Sequence, residues 1–332
     1  MNIKDILAVF RNLAPEESQS SWDNCGVQIA GAAARANKVA VCLEPTPQMV
    51  ERCLDWGAEV VLTHHPLYMK PKGLGEESMF LDVVRHVVGA GAWLYAAHTS
   101  LDVQPDGPAF WLGERLELHN TSFLEPIPGV TPLEASFYSE QAIAPETGDV
   151  WANADGVHSV SQSRTGEIRI VCDEDKWPNV ADGVEFALGC KPQFFLRPMT
   201  APSREAGFGQ VGDLPQPMAW PEFAALLTAL VGRDVITVCG PEVETVSRVA
   251  YCGGSGSSLI GKAAKAGADV FVTGDMKYHP AVETPICVAD VGHFSIEEEM
   301  MRLAALGLEE TLDGVDVKFF AGEEPMRFLV SM

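Results

Sequence analysis

Three short apolar runs, KVAVCL at 38–43, AEVVLT at 58–63 and AWLYAA at 92–97, are separated by stretches of helical periodicity at 46–57 and 78–91. Strands without polar alternation are buried on both faces, and strands that alternate with helices form a mainly parallel sheet covered on both sides. An amphipathic helix is expected at 2–14, with Ile3, Ile6, Leu7 and Phe10 on one side, followed by the loop SWDNCGVQIAG entering a strand. A further helix is expected at 107–117.

The alternation stops near residue 122 and resumes near 216. Beyond that point we expect a helix at 220–231, strands at 234–239 and 247–252, a helix at 258–267 and a strand at 268–273. A helix at 275–283, a strand at 286–291, a helix at 295–307 and a closing strand at 326–331 complete the pattern. Between the two stretches, PIPGVTPLEASFYSE (126–140) is turn-rich and aperiodic, with strands at 167–172 and 193–198 and a helix at 178–189. EPIPG and GFGQVGDLPQP mark its ends. The expected organisation is an α/β fold with domains 1–122 and 216–332, and a small α+β insertion at 123–215.

Composition narrows the function. The chain has 332 residues, 47% of them apolar, which supports a large core. Its formal net charge of -23 offers no basic footprint for phosphate backbones, so nucleic acid and anionic membranes are not expected partners. A phosphorylated substrate is not excluded, because bound cations invert the local field. The cysteines at 25, 42, 53, 172, 190, 239, 252 and 287 form no C-x-x-C pair. Several lie in apolar runs, as expected of reduced thiols in a cytoplasmic protein rather than of a disulfide frame or zinc ribbon. The N-terminus does not read as a signal peptide, and no apolar run reaches the ~20 residues of a membrane span.

Polar residues gather where strands end. His64 and His65 follow VVLT, His98-Thr99-Ser100-Leu101-Asp102 follows WLYAA, and His293 with Glu297 follows ICVADV. Ligands of open α/β sheets bind outside the carboxyl ends of strands. An i, i+4 pair on a helix points both side chains the same way. A lone buried His is commonly hydrogen-bonded within a core. Adjacent histidines after a buried strand, with two further groups at equivalent ends, instead point to His64, His65, Asp102, His293 and Glu297 as ligands of two divalent ions. Imidazole and carboxylate donors suit Zn, Fe, Mn or Ni. GAEVVLTHHP (57–66) also parallels GADVFVTGDMKYHP (267–280), which points to two pseudo-symmetric halves facing one site.

Other motifs are less decided. GGSGSSLI opens a helix after a strand, so Gly254, Ser255, Gly256 and Ser257 form either an anion cradle or a tight turn with a serine cap. Asp275 and His279 are candidate orienters or proton carriers, or else a helix cap and a surface His. Asp23-Asn24 is explicable by turn chemistry alone. His86, His119 and His158 read as structural.

These motifs resemble one family, the GTP cyclohydrolase I type 2 homologues, also called the NGG-one-interacting-factor-three-like family. The resemblance rests on SWDNCGVQ (21–28), VLTHHPL (61–67), HTSLD (98–102), GFGQVGDL (207–214), CGGSGSSLI (252–260), GADVFVTGDMKYH (267–279) and DVGHFSIE (290–297), in family order. It implies two similar α/β halves packed around a dinuclear metal centre held by His64, His65, Asp102, His293 and Glu297, with His98 as ligand or neighbour. It also implies a toroidal homohexamer, with a PII- or CutA-like module as the insertion, shortened here. Ser100, Ile296 and Val27 depart from the usual Asn, Ser or Thr, and Leu, but none of them removes a ligand.

The leading expectation is a metal-dependent hydrolase of a nucleotide or related heterocycle, with His279 or His98 moving protons. A non-enzymatic metal-binding, delivery or scaffold protein is the alternative. A phosphoesterase or amidohydrolase using the same ligands is a third reading.

Overall fold

The structure is a computed structural model that describes residues 1–127, 131–139, 142–200, 205–327 and 329. The chain divides into two compact units, Met1–Pro126 with Gly207–Met332, and Ile127–Ala206.

The larger unit carries a five-stranded sheet in the order Gly26–Ile29, Trp93–Ala96, Val60–Thr63, Lys38–Cys42, Asp316–Phe319. Its last four strands run parallel, and Gly26–Ile29 is antiparallel to Trp93–Ala96. Successive side chains of a strand point to opposite faces. Val39, Val41, Val60, Leu62 and Tyr95 therefore enter a large core shared with Ile6 and Phe10 of the helix Ile3–Leu13. Ala40, Cys42, Val61 and Leu94 face the other way, onto the helices Pro47–Asp55 and Met79–Ala90. Complete burial of a side chain such as Phe10 contributes roughly 1.5–3 kcal/mol. Thr46 Oγ1 and Ser78 Oγ accept from the first turns of those helices and fix where they begin.

A six-stranded sheet in the same unit has the order Thr237–Cys239, Cys287–Asp290, Val270–Thr273, Thr245–Tyr251, Ala206–Ala219, His119–Ile127. Thr245–Tyr251, Val270–Thr273 and Cys287–Asp290 are parallel. Val249, Tyr251, Val270, Val272 and Ala289 face the same large core as the first sheet. The helix His293–Thr311 adds Ile296, Met300 and Met301 to it. On the outer face, Phe271 and Val288 meet Leu259, Ile260 and Ala263.

The smaller unit is an antiparallel sheet ordered Val157–Gln162, Glu167–Asp173, Pro132–Tyr138, Phe195–Pro198. The helices Pro145–Ala152 and Trp177–Leu188 supply Trp151, Val180 and Val184 to a core with Phe137, Ile168 and Ile170.

Four local expectations are corrected. The aperiodic stretch holds the strand Pro132–Tyr138, whose Leu133, Ala135 and Phe137 are buried in alternation. The proline-rich exit at 207–217 belongs to the strand Ala206–Ala219, and its register shifts between Asp213 and Met218, where Pro215 and Pro217 have no N–H for the ladder. The helix expected at 107–117 is a 3-10 turn at Pro108–Phe110 and a short helix at Trp111–Arg115. Of the closing strand expected at 326–331, residues 328, 330 and 331 lie outside the described residues, and the others are not in a strand. Asp316–Phe319 instead ends the strand series, in the first sheet.

Candidate metal centre

Five loops at the carboxyl ends of parallel strands converge. Lys38–Cys42 leads to Glu44, Val60–Thr63 to His64 and His65, Trp93–Ala96 to His98, Val270–Thr273 to Asp275, and Cys287–Asp290 to His293. The double-histidine turn is fixed by its backbone. His64 N and His65 N donate to the carbonyls of Cys42 and Leu43 at 3.3 and 3.1 Å, and Thr63 Oγ1 donates to the His65 carbonyl at 2.8 Å.

Each imidazole is held from outside through Nδ1. His64 donates to the Ala97 carbonyl at 2.8 Å, His65 to Glu44 Oε1 at 2.6 Å, His98 to Asp23 Oδ1 at 2.8 Å and His293 to Asp275 Oδ2 at 2.8 Å. Carbonyl and carboxylate oxygens only accept, so the Nδ1 hydrogen points outward and the Nε2 lone pair is left for the interior. His64 is fully buried, and its Nε2 lies 3.7 Å from Asp102 Oδ1 and 3.6 Å from Glu297 Oε1. His65 Nε2 lies 3.2 Å and His293 Nε2 2.8 Å from Glu297 Oε2, and the two nitrogens are 3.4 Å apart. His98 completes a second group, with ring centroids 5.0 Å from His64 and 5.3 Å from His65. Two triads thus have their ligand atoms within 4.8 Å of one another, His64–His65–His98 and His65–His293–Glu297, with His65 common to both.

The electrostatics show why a cation fits. Nε2 of His64 is buried without a hydrogen-bond partner, and buried Oε2 of Glu297 meets only the inward Nε2 atoms of His65 and His293, which carry no hydrogen while Nδ1 holds it. Such orphaned atoms are costly, and lone pairs facing one another repel unless a proton or cation lies between them. Burial alone disfavours charge on His65, but the bonds to Glu297 and Glu44 outweigh it and push the pKa up to about 10. The bond to Glu297 is the main cause that raises His293 to about 9. Burial pushes Asp102 above the ordinary carboxylate range, whereas the surrounding imidazoles overcome burial at Glu297 and hold it well below. Imidazole nitrogen with carboxylate oxygen is a donor set for a divalent transition ion.

A second layer of carboxylates positions the first. Asp23 accepts from His98, the Thr99 N–H at 3.0 Å and the Asn24 N–H at 2.7 Å, and also from the Thr99 hydroxyl. Its loop leaves Trp22 exposed, with its ring 5.9 Å from that of His98. Asp275 takes a left-handed φ of 55°, and Asp290 braces both neighbouring turns by accepting from Met276 N and Gly292 N at 2.8 Å each. A Cβ at Gly274 would come 2.5 Å from His293 N, so the Asp275 turn reaches the helix start only with glycine there.

The five ligands expected from the sequence, with His98, are therefore neighbours. Asp275 takes the orienting place open to it in the sequence. Asp23 read as turn chemistry alone, and Glu44 and Asp290 were not singled out; the available signal was a carboxylate at or just past a strand end. Gly254 lies over Glu297 with a φ of 58°, and the Gly256 N–H is committed to Thr273 Oγ1 at 2.9 Å rather than free for an anion. His279 is exposed on the helix Tyr278–Glu283, its ring against Tyr278, and is in neither triad.

The family model described as Duf34/NIF3 (NGG1p interacting factor 3) matches residues 1–325. The chain belongs to the Duf34/NIF3 family. Relatives called GTP cyclohydrolase 1 type 2 homolog include one from Staphylococcus epidermidis, 25% identical with 94% of this chain and 93% of that protein covered. Another, from Mycobacterium tuberculosis, is 25% identical over 90% of this chain and 88% of its own. Among solved structures, a Bacillus cereus protein related to NIF3 superposes with a TM-score of 0.84 at 25% identity, covering 99% of both chains. Staphylococcus aureus SA1388 gives 0.74 at 23% identity, also over 99% of both, a likeness of fold. Among the described residues, no helix of this Duf34/NIF3 protein is long and apolar enough to cross a membrane.

Proposed function

We propose that His64, His65, Asp102, His293 and Glu297, with His98 beside them, hold two divalent metal ions, and that the protein is a metal-dependent hydrolase of a nucleotide or related heterocycle. The observation that carries this reading is the outward anchoring of Nδ1 in all four imidazoles, which leaves their Nε2 atoms for the interior beside buried Glu297 and partly buried Asp102. A pair of such ions, when bound, supplies Lewis-acid polarisation and charge neutralisation. The chain's own residues set the geometry. Glu44, Asp23 and Asp275 fix three tautomers and ring planes, and burial of His64 and Glu297 keeps bulk water from competing. His98 and His279 are the candidate proton carriers. The name of the relatives, GTP cyclohydrolase 1 type 2 homolog, supports a nucleotide as the first substrate to try.

The same reading includes two similar α/β halves around the centre, a PII- or CutA-like role for the 123–215 insertion, and assembly as a toroidal homohexamer in the cytoplasm. Anomalous scattering at metal edges would count and identify the ions, and light scattering would read the assembly. Metal analysis of His64→Ala, Glu297→Ala protein should show little bound metal; an undiminished content removes the reading. Product profiling with GTP, other nucleotides and a phosphoester panel tests turnover. Metal-replete protein that leaves every compound unchanged ends the hydrolase claim and leaves a metal-binding or delivery protein.

A further inference from the structure

A cavity of about 710 Å³ opens beside the cluster, with Glu44, His65, Asp275 and His293 in its wall. That is the size of a small-molecule site. Met49, Phe294 and Met326 make much of the remaining wall apolar.

Its charges are unevenly committed. Glu44 accepts from His65, Asp275 accepts from His293, and Glu324 pairs with Arg233 at 3.2 Å. Arg52, on the helix Pro47–Asp55, is the one guanidinium in the lining. Its Nη1 donates to the Ala321 carbonyl at 3.2 Å, and its guanidinium carbon lies 6.0 Å from the Phe320 ring centroid. Among the described residues no carboxylate pairs with it. Arg52 is exposed, so its guanidinium is open to an incoming anion in a chain with 46 acidic and 23 basic side chains. A guanidinium has five N–H donors, and most of these remain available.

We propose that this cavity takes an organic ligand with a flat apolar body and one anionic group, the body lying against Met49, Phe294 and Met326 and the anion on Arg52. One guanidinium neutralises one anionic group, and Glu323 is exposed in the same wall, so any further phosphates of a nucleotide would have to lie on the metal ions rather than on this wall. The ligand class rests on the metal reading only for its orientation, which places the reacting end toward His65 and His293.

The test is calorimetric titration of the full zinc-treated chain with 2-naphthylacetate, its neutral amide, and 2-naphthylmethylammonium. The carboxylate should bind roughly ten- to a hundred-fold more tightly than the amide, as for a hydrogen bond to a charged group. Arg52→Gln should abolish that preference, and Arg52→Lys should keep part of it, which also covers the case in which the glutamine variant does not fold. A preference that survives Arg52→Gln places the carboxylate elsewhere and overturns the proposal. So does tightest binding by the ammonium, or binding of no probe. Zinc content measured on the same samples separates the two readings: a preference that depends on Arg52 in zinc-free protein upholds the ligand class while the metal reading falls.

Discussion

A Cβ atom at Gly254 would stand 2.4 Å from Oε1 of Glu297, and Gly254 holds a φ of 58° that L-residues seldom adopt. Sterics at the loop and chemistry at the centre are thus joined at one contact. Gly254→Ala is expected to destabilise the fold by roughly 2 kcal/mol or more, from left-handed backbone strain and overpacking together. It should also lower bound metal by displacing the carboxylate. Urea unfolding and metal analysis of one preparation read both, and a variant matching the parent in both would show that the loop does not press on Glu297.

Removing an outer carboxylate should weaken the centre while leaving every ligand in place. Glu44→Gln and Asp275→Asn each replace the charged acceptor that orients an imidazole with a neutral amide, which accepts more weakly and can also turn its NH2 toward the ring. The expected loss in metal affinity is about 10- to 100-fold. Asn tolerates the positive φ at 275, so that variant separates charge from backbone strain. Competition against a chelator of known affinity gives the ratio, and equal affinity in both variants would make these carboxylates bystanders.

Chelation should cost stability. An ion that binds only the folded chain contributes about 2.7 kcal/mol at a free concentration a hundred times its Kd. In a protein of this size that corresponds to a melting-temperature difference of about 4 °C. Scanning calorimetry of chelated and reloaded samples checks it; coincident transitions would mean that no ion is linked to folding.

Metal uptake should strengthen as pH rises. In the ion-free protein, hydrogen bonds to Glu297 help lift His65 to about 10 and His293 to about 9, so both carry protons near neutrality. A cation must displace those protons, and lowering the pH adds to the competition. Binding titrations at pH 6, 7 and 8 in several buffers should show a falling Kd with proton release. A pH-independent Kd would place the ion elsewhere.

Much of this is legible in the amino-acid sequence. Val60–Thr63 and Val270–Thr273 are fully buried strands, and continuous apolar runs announce such strands. Adjacent His64 and His65, and the spaced pairs His98–Asp102 and His293–Glu297, locate the cluster because strand ends and helical turns fix side-chain direction. The outer carboxylates were harder to read. Asp23 reaches His98 across 75 positions and Glu44 reaches His65 across 21, and neither partner is implied by a local pattern. Pro132–Tyr138 does alternate, but prolines and glycine nearby mask its period. Asp316–Phe319 is four residues long with two charged side chains, too little apolar signal to declare a strand.

That last strand has a kinetic consequence. It lies beside Lys38–Cys42, with Asp316 opposite Lys38 and Phe319 opposite Val41. During synthesis the edge of Lys38–Cys42 therefore waits, unsatisfied, until Asp316–Phe319 has left the ribosome. Glu44 and Met49, just beyond that edge, likewise wait for Met326 to complete the lining of the cavity. The early segment cannot complete its sheet or its pocket alone, so nascent chains halted before residue 316 should be marked by protease sensitivity around 38–42 that disappears once the final strand docks.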